Sequence, residues 1–304
     1  MKMRHHRAWQ PLETLISGEW WQDALGLLLP PTCKFCDQCV CVGKDFCDRC
    51  ENFFQASEQI MRTSCDRCGR PGAAATAAES GHSSNHSPQS TATDSPQVDS
   101  SSRSDAREIG CLACRGQRLQ FDRCVAMWTY QDLIRDVVVA SKYGSRLPLA
   151  DALGRRLGSL LERQFLLSPC PELPDLVTSV PSHVFRRMAR GVGGSRMIAL
   201  AAHQTLHKTW NQLSFRDCLT TTRRIQKQAW LGEHERAENI RGAFRVTTPG
   251  WRSRKRPYLS GKHVLLVDDV MTTGSTANEI AKTLKQAGAE RVTVAVLARA
   301  VGLA

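Results

Sequence analysis

HVLLVDDVMTTGST occupies residues 263–276. Val264 to Val267 are apolar and run into two adjacent aspartates, then into a hydroxyl-rich loop with a single glycine. A short apolar run bounded by turn residues predicts a strand buried on both faces, the kind found in parallel sheets. Asp268 and Asp269 would stand at its carboxyl end, where open α/β sheets receive ligands. Thr272 to Thr276 forms the loop, and a helix is expected to begin near Thr276. Loop and helix-start N–H groups can cradle a phosphate, with the hydroxyls of Thr272, Thr273, Ser275 and Thr276 as further donors and Gly274 permitting a tight turn. The acids would repel that phosphate inside its own pocket. One step away they can accept hydrogen bonds from sugar hydroxyls or reach a magnesium ion. A ligand with a phosphate at one end and vicinal hydroxyls in its middle, a ribose 5-phosphate, satisfies both halves. Neither GxxxxGK[ST] nor GxGxxG is present. A solvated Asp-Asp turn with Thr as a helix N-cap is the plain alternative.

Working outward, strands alternate with helices. Strands are expected over Val125–Tyr130, Asp175–Val180, Leu213–Leu219, His263–Val267 and Val292–Leu297. Helices are expected over Asp132–Lys142, Leu147–Leu167, Gly194–Thr209 and Thr276–Ala287. The alternation predicts an α/β fold, a mainly parallel sheet with helices on both faces, over residues 122–304. The whole chain has 304 residues and a formal charge of +12. Residues 126–304 carry 27 basic against 14 acidic side chains, so this part holds nearly all the excess and would attract phosphates of a metabolite or of nucleic acid. Residues 250–262 mix Trp251 and Tyr258 with Arg252, Arg254, Lys255 and Arg256. Such interleaving suits single-stranded nucleic acid, and equally a solvated hairpin tip.

The first part reads differently. Eleven of the thirteen cysteines precede residue 125, and eight form CxxC pairs: Cys33/Cys36, Cys47/Cys50, Cys65/Cys68 and Cys111/Cys114. Each CxxC turn aims two thiolates at one ion, so sequential pairing predicts two closed, structural four-cysteine zinc sites over residues 31–121. Cys39 and Cys41 could replace neighbours at the first site, or be free thiols. Residues 71–107, rich in Ala and then in Ser, Thr, Pro and Gln, read as a disordered insert. Residues 1–30 read as an amphipathic helix through Leu12, Leu15, Ile16, Trp20, Ala24 and Leu27. Acidic residues break any secretory core near the start and no apolar run approaches a membrane span, so a cytoplasmic, membrane-free protein is expected.

VLLVDDVMTTGST resembles the phosphoribosyl pyrophosphate (PRPP) motif of type I phosphoribosyltransferases. With the CxxC pairs, Asp175–Pro181, Arg190–Gly191, Gln228, Arg236, Asn239 and Gly242–Phe244, the layout resembles the ComF family: a double zinc ribbon before a phosphoribosyltransferase-like domain. The resemblance implies that Asp268 and Asp269 contact ribose hydroxyls and that Thr272, Thr273, Gly274, Ser275 and Thr276 hold the 5-phosphate. It also implies that Pro181, Ser182 and His183 form the pyrophosphate loop, and that Lys142, Arg187 and Arg190 supply positive charge. Zinc at two structural sites and magnesium with PRPP are the implied cofactors. ComF-like proteins usually read Arg-Gly-Phe-Asn-Gln where this chain has Arg190, Gly191, Val192, Gly193 and Gly194. Glycines cannot orient a substrate or brace a loop as an Asn-Gln pair can. Three functions follow from the resemblance: transfer of ribose 5-phosphate to an unknown acceptor, a non-catalytic competence role on single-stranded DNA with helicase or recombination partners, and a PRPP sensor.

Overall fold

The computed structural model describes residues 30–72, 110–167, 173–181, 194–223, 240–247 and 259–301. The expected N-terminal helix and the 71–107 insert lie almost wholly outside these residues. So do Ser182, His183, Arg187, Arg190, Gly193, Gln228, Arg236, Asn239 and the aromatic-basic stretch 251–258. The chain divides into two compact units, Met1–Glu51 and Asn52–Ala304.

The second unit holds the sheet. Its elements follow α1 (Asp48–Met61), which begins in the first unit. They are β1 (Arg123–Thr129), α2 (Asp132–Ala140), α3 (Leu147–Leu166), β2 (Leu176–Ser179) and α4 (Gly194–His207). Then come β3 (Ser214–Phe215), β4 (Leu219–Thr221), β5 (Phe244–Val246), β6 (His263–Met271), α5 (Ser275–Gln286) and β7 (Arg291–Arg299). Five strands form a sheet in the order β1-β7-β6-β2-β3, and every pair in it is parallel. β7 is buried at every residue after Arg291, as expected for a central strand written as a continuous apolar run.

Helices cover both faces. Val292, Val294 and Val296 of β7 pack with Ile280, Ala281 and Leu284 of α5. Thr293, on the opposite face, bonds the His263 ring at 2.8 Å, and that ring meets Phe165 of α3 edge-on at 6.3 Å. α3 and α4 lie close together: a Cβ at Gly154 would stand 2.5 Å from the Ile198 carbonyl oxygen, and one at Gly158 would stand 2.9 Å from that of Ala202. Phe54 of α1 stacks on Trp128 of β1 at 4.8 Å, and its carbonyl accepts the indole N–H.

Two expected elements differ. The single strand over Leu213–Leu219 is two. Ser214 and Phe215 pair with Leu176 and Val177 at the edge of the main sheet. A tight turn follows, with Cys218 N–H donating to the Arg216 carbonyl. Leu219–Thr221 then pair antiparallel with Phe244–Val246 in a separate ribbon. The apolar residues Leu213, Phe215 and Leu219 could not show that their backbone partners change midway. The other difference is at β6, which continues to Met271 because β7 keeps pairing beside it through Met271↔Arg299.

Candidate functional site

The mismatch in strand lengths makes the site. On one side, β2 leaves β6 at Ser179↔Val267, with a last backbone bond from Val180 N–H to the Val267 carbonyl. On the other side, β7 follows β6 beyond the acids. Asp268 and Asp269 therefore sit where β6 outruns β2, partly exposed while the apolar residues before them are buried. Pro181 ends the described part of the β2 exit.

Two elements from elsewhere in the chain reach the acids. Lys142, in the turn after α2, places its Nζ 3.2 Å from Asp269 Oδ1. The Ser195 hydroxyl in the first turn of α4 is 3.2 Å from Asp268 Oδ1 and 3.3 Å from Asp269 Oδ2. The Asp269 N–H donates to the Asp268 carboxylate at 2.9 Å. Burial, then the charge of Asp269, pushes the Asp268 carboxyl up to about 7, against the lowering effect of the Asp269 N–H, Lys142 and Ser195. Burial would lower the Lys142 pKa, but Asp269 and Asp268 outweigh it and hold the ammonium above its ordinary value.

The loop after β6 turns at Gly274, whose φ of 87° favours glycine. α5 starts at Ser275, whose N–H donates to Thr273 Oγ1 at 3.3 Å, and its N-cap, Gly274, has no side chain to cap the next N–H groups. Its first turn thus presents backbone donors at the positive end of the helix dipole. The hydroxyls of Thr273 and Ser275 are 2.8 Å apart, Thr272 is exposed, and Thr276 is half-buried. Asp268, Asp269, Lys142 and the 272–276 loop thus gather at one sheet end.

Ser195 was not legible: a serine after two glycines carries no signal of its own. The nearby Gly194 has a packing reason. A Cβ there would lie 2.7 Å from the Ser141 carbonyl oxygen and 3.1 Å from Lys142 Cα. Glycine at this position lets the start of α4 press against the turn that presents Lys142.

A separate concavity of about 520 Å³ lies between the β4–β5 ribbon and α5, with Arg241, Arg245, Lys282 and Glu279 on its walls. Neither Asp268 nor Asp269 lines it.

Eight cysteines form two clusters. Cys33, Cys36, Cys47 and Cys50 make one, and Cys65, Cys68, Cys111 and Cys114 the other, with all Sγ atoms of a cluster within 4.8 Å of one another. Cys39 and Cys41 are exposed and belong to neither. Backbone N–H groups serve the sulfurs. Burial raises the Cys65 thiol, yet the N–H groups of Cys111, Cys68 and Arg67 bring it down to about 7. Cys33 stands near 7 for the same reasons, with the N–H groups of Cys36, Cys47 and Phe35 opposing burial. Cys68 and Cys50 are pushed far up, by burial and then by neighbouring cysteines. Four sulfurs this close repel one another as thiolates, and a dication relieves that. Both clusters fit zinc in closed structural sites with no position left for substrate.

These features define a double zinc ribbon joined to a phosphoribosyltransferase-type α/β domain. The double zinc ribbon domain family matches residues 24–84, and the phosphoribosyl transferase domain family matches residues 208–301. The first match stops before Cys111 and Cys114, which the fold brings to Cys65 and Cys68. The DNA utilization protein YhgH of Escherichia coli (strain K12) is 31% identical over 192 residues, covering 63% of this chain and 78% of that protein. Competence protein F of Haemophilus influenzae is 28% identical over 190 residues, covering 62% and 78%. Glutamine phosphoribosylpyrophosphate amidotransferase of B. subtilis, solved with ADP and GMP, aligns over 52% of this chain and 30% of its own at 20% identity and a TM-score of 0.32. The chain belongs to the ComF family of phosphoribosyltransferase-like zinc-ribbon proteins.

No helix among the described residues is long and apolar enough to cross a membrane.

Proposed function

We propose that the end of β6 binds PRPP with magnesium. The observation that carries this reading is the pairing of a glycine-capped helix start with two partly exposed acids on the strand just before it. Thr272 to Thr276 would hold the 5-phosphate through backbone N–H groups and hydroxyls. Asp268 and Asp269 would accept hydrogen bonds from the ribose hydroxyls. Magnesium would neutralise the pyrophosphate, and Pro181, Ser182 and His183 would line its loop. Lys142 now balances the acids and would be free to turn toward the pyrophosphate once the sugar takes its place. Arg187 and Arg190 would add charge from the stretch that follows Pro181.

With an acceptor, the C1–oxygen bond to pyrophosphate would break as the nucleophile bonds to C1. Positioning and charge stabilisation would supply most of the rate. Without an acceptor, the same site is a sensor.

A ligand series tests the reading by thermal shift. Ribose 5-phosphate should stabilise the wild type, and PRPP with magnesium should stabilise it more. Thr273→Ala together with Ser275→Ala should lose most of both gains. Asp268→Asn together with Asp269→Asn should lose the PRPP gain. Stabilisation by PRPP that persists in the doubly amidated variant would place the ligand elsewhere. A pyrophosphate-release screen over amines and bases then separates enzyme from sensor.

The groove bearing Arg241, Arg245 and Lys282 favours a second reading, binding of single-stranded DNA by the basic domain. Two relatives are named for DNA utilization and competence. Helicase or recombination partners belong to that reading. It predicts affinity that falls steeply with salt. Unchanged binding in an Arg241→Ala, Arg245→Ala, Lys282→Ala variant would refute this groove as the site.

A further inference from the structure

Arg299 ends β7, and only 3% of it is exposed. Its Nε donates to the Cys68 carbonyl at 3.1 Å. Its Nη1 reaches the carbonyls of Met271 at 3.0 Å, of Thr272, and of Ala300 at 3.1 Å. One guanidinium therefore grips the second cysteine cluster with one nitrogen and the first residues of the 272–276 loop with another. Every one of these partners is a neutral carbonyl. Among the described residues no carboxylate pairs with it, and Arg70 adds a second positive charge nearby.

A buried guanidinium without a counter-charge is strongly unfavourable. The carbonyl bonds of Arg299 are therefore what hold it in place, and they fix Cys68 to residues 271, 272 and 300.

We propose that Arg299 is a positioning residue that couples the Cys65–Cys68–Cys111–Cys114 zinc centre to the phosphate loop. The zinc-held Cys68 fixes one side of the guanidinium, and the guanidinium holds the Met271 and Thr272 carbonyls so that the following N–H groups face the ligand. When zinc leaves, Cys68 is no longer fixed, and the tie that runs from its carbonyl through Arg299 to the loop slackens. The second ribbon thereby sets the affinity of the site, and zinc occupancy controls it. The proposal rests on the reading of 272–276 as the phosphate loop, but its test does not need the ligand.

The test is amide hydrogen exchange over residues 272–276 in the full zinc-loaded chain, wild type and Arg299→Lys, alongside the rate at which a colorimetric chelator draws zinc. A lysine keeps the charge but cannot span both sets of carbonyls. The expected result is exchange faster by about tenfold or more at 272–276, zinc released severalfold faster, and residues 264–267 unchanged. Coupling of the two sites is reciprocal, so PRPP with magnesium should slow zinc release from the wild type and not from Arg299→Lys. Unchanged exchange at 272–276 in a variant that melts cooperatively and holds its zinc would overturn the proposal.

If Arg299→Lys does not fold, stepwise zinc withdrawal from the wild type decides. Exchange rising at 272–276 before 264–267 supports the coupling; exchange that rises at both together, or at neither, refutes it. A wild type that binds no PRPP sinks the proposed function while leaving the exchange result to judge the coupling.

Discussion

Asp268→Asn should stabilise the fold while it disables the site. The Asp268 carboxyl titrates near 7 because burial and Asp269 oppose its charge, whereas an unfolded aspartate titrates near 3.8. That difference amounts to about 4 kcal/mol of unfavourable ionisation above neutral pH, at about 1.4 kcal/mol per pH unit. Asparagine is isosteric, can accept from the Asp269 N–H as Asp268 does, and can donate to the Asp269 carboxylate. It retains its own desolvation cost, so the expected gain is about 2–4 kcal/mol, or roughly 5–10 °C in a domain of this size. The sign depends on pH. The folded pKa is raised, so below pH ~4 aspartate is neutral in both states and the two proteins should be equally stable. The difference should open as pH rises from 4 to 7 and be constant above that. Thermal unfolding in matched buffers from pH 4 to 8.5 measures it. A variant less stable than wild type at pH 8, or a difference flat with pH, would refute the electrostatic account of the acid pair.

Lys142→Met leaves the acid pair without its 3.2 Å counter-charge; it should raise the Asp268 pKa further and weaken PRPP binding by about tenfold or more, read by fluorescence competition. Gly194→Ala drives a methyl into the Ser141 carbonyl and should cost about 1–3 kcal/mol, read by chemical denaturation, with a loss of PRPP affinity as Lys142 is displaced. Native mass spectrometry should find two zinc ions per chain, Cys39→Ser with Cys41→Ser should keep both, and Cys111→Ser should lose one.

Much of this architecture was legible because its signals are local. The continuous apolar runs of 264–267 and 292–297 showed buried parallel strands, and the residue types of 268–276 showed the acids and the loop. Four CxxC pairs in sequence foretold both clusters, even across the long insert. What escaped depends on where the chain returns. Ser195 becomes a partner of the acids only because α4 begins beside them. Arg299 lies beyond the apolar run 292–297 and carries no signal of its own, yet the fold buries it against Cys68. Leu213–Leu219 reads as one strand because side-chain character does not record the identity of the neighbouring strand. Gly194 looked like a lost functional side chain; the fold gives it a packing role, because a Cβ there would stand 2.7 Å from the Ser141 carbonyl oxygen.

The central claim is that the end of β6 is a working PRPP site. Calorimetric titration of PRPP with magnesium into the zinc-loaded chain tests it most directly, with the Asp268→Asn, Asp269→Asn protein as its pair. The account predicts one site per chain in the wild type and none in the pair. A flat wild-type titration, in protein that melts cooperatively and carries both zinc ions, would contradict it.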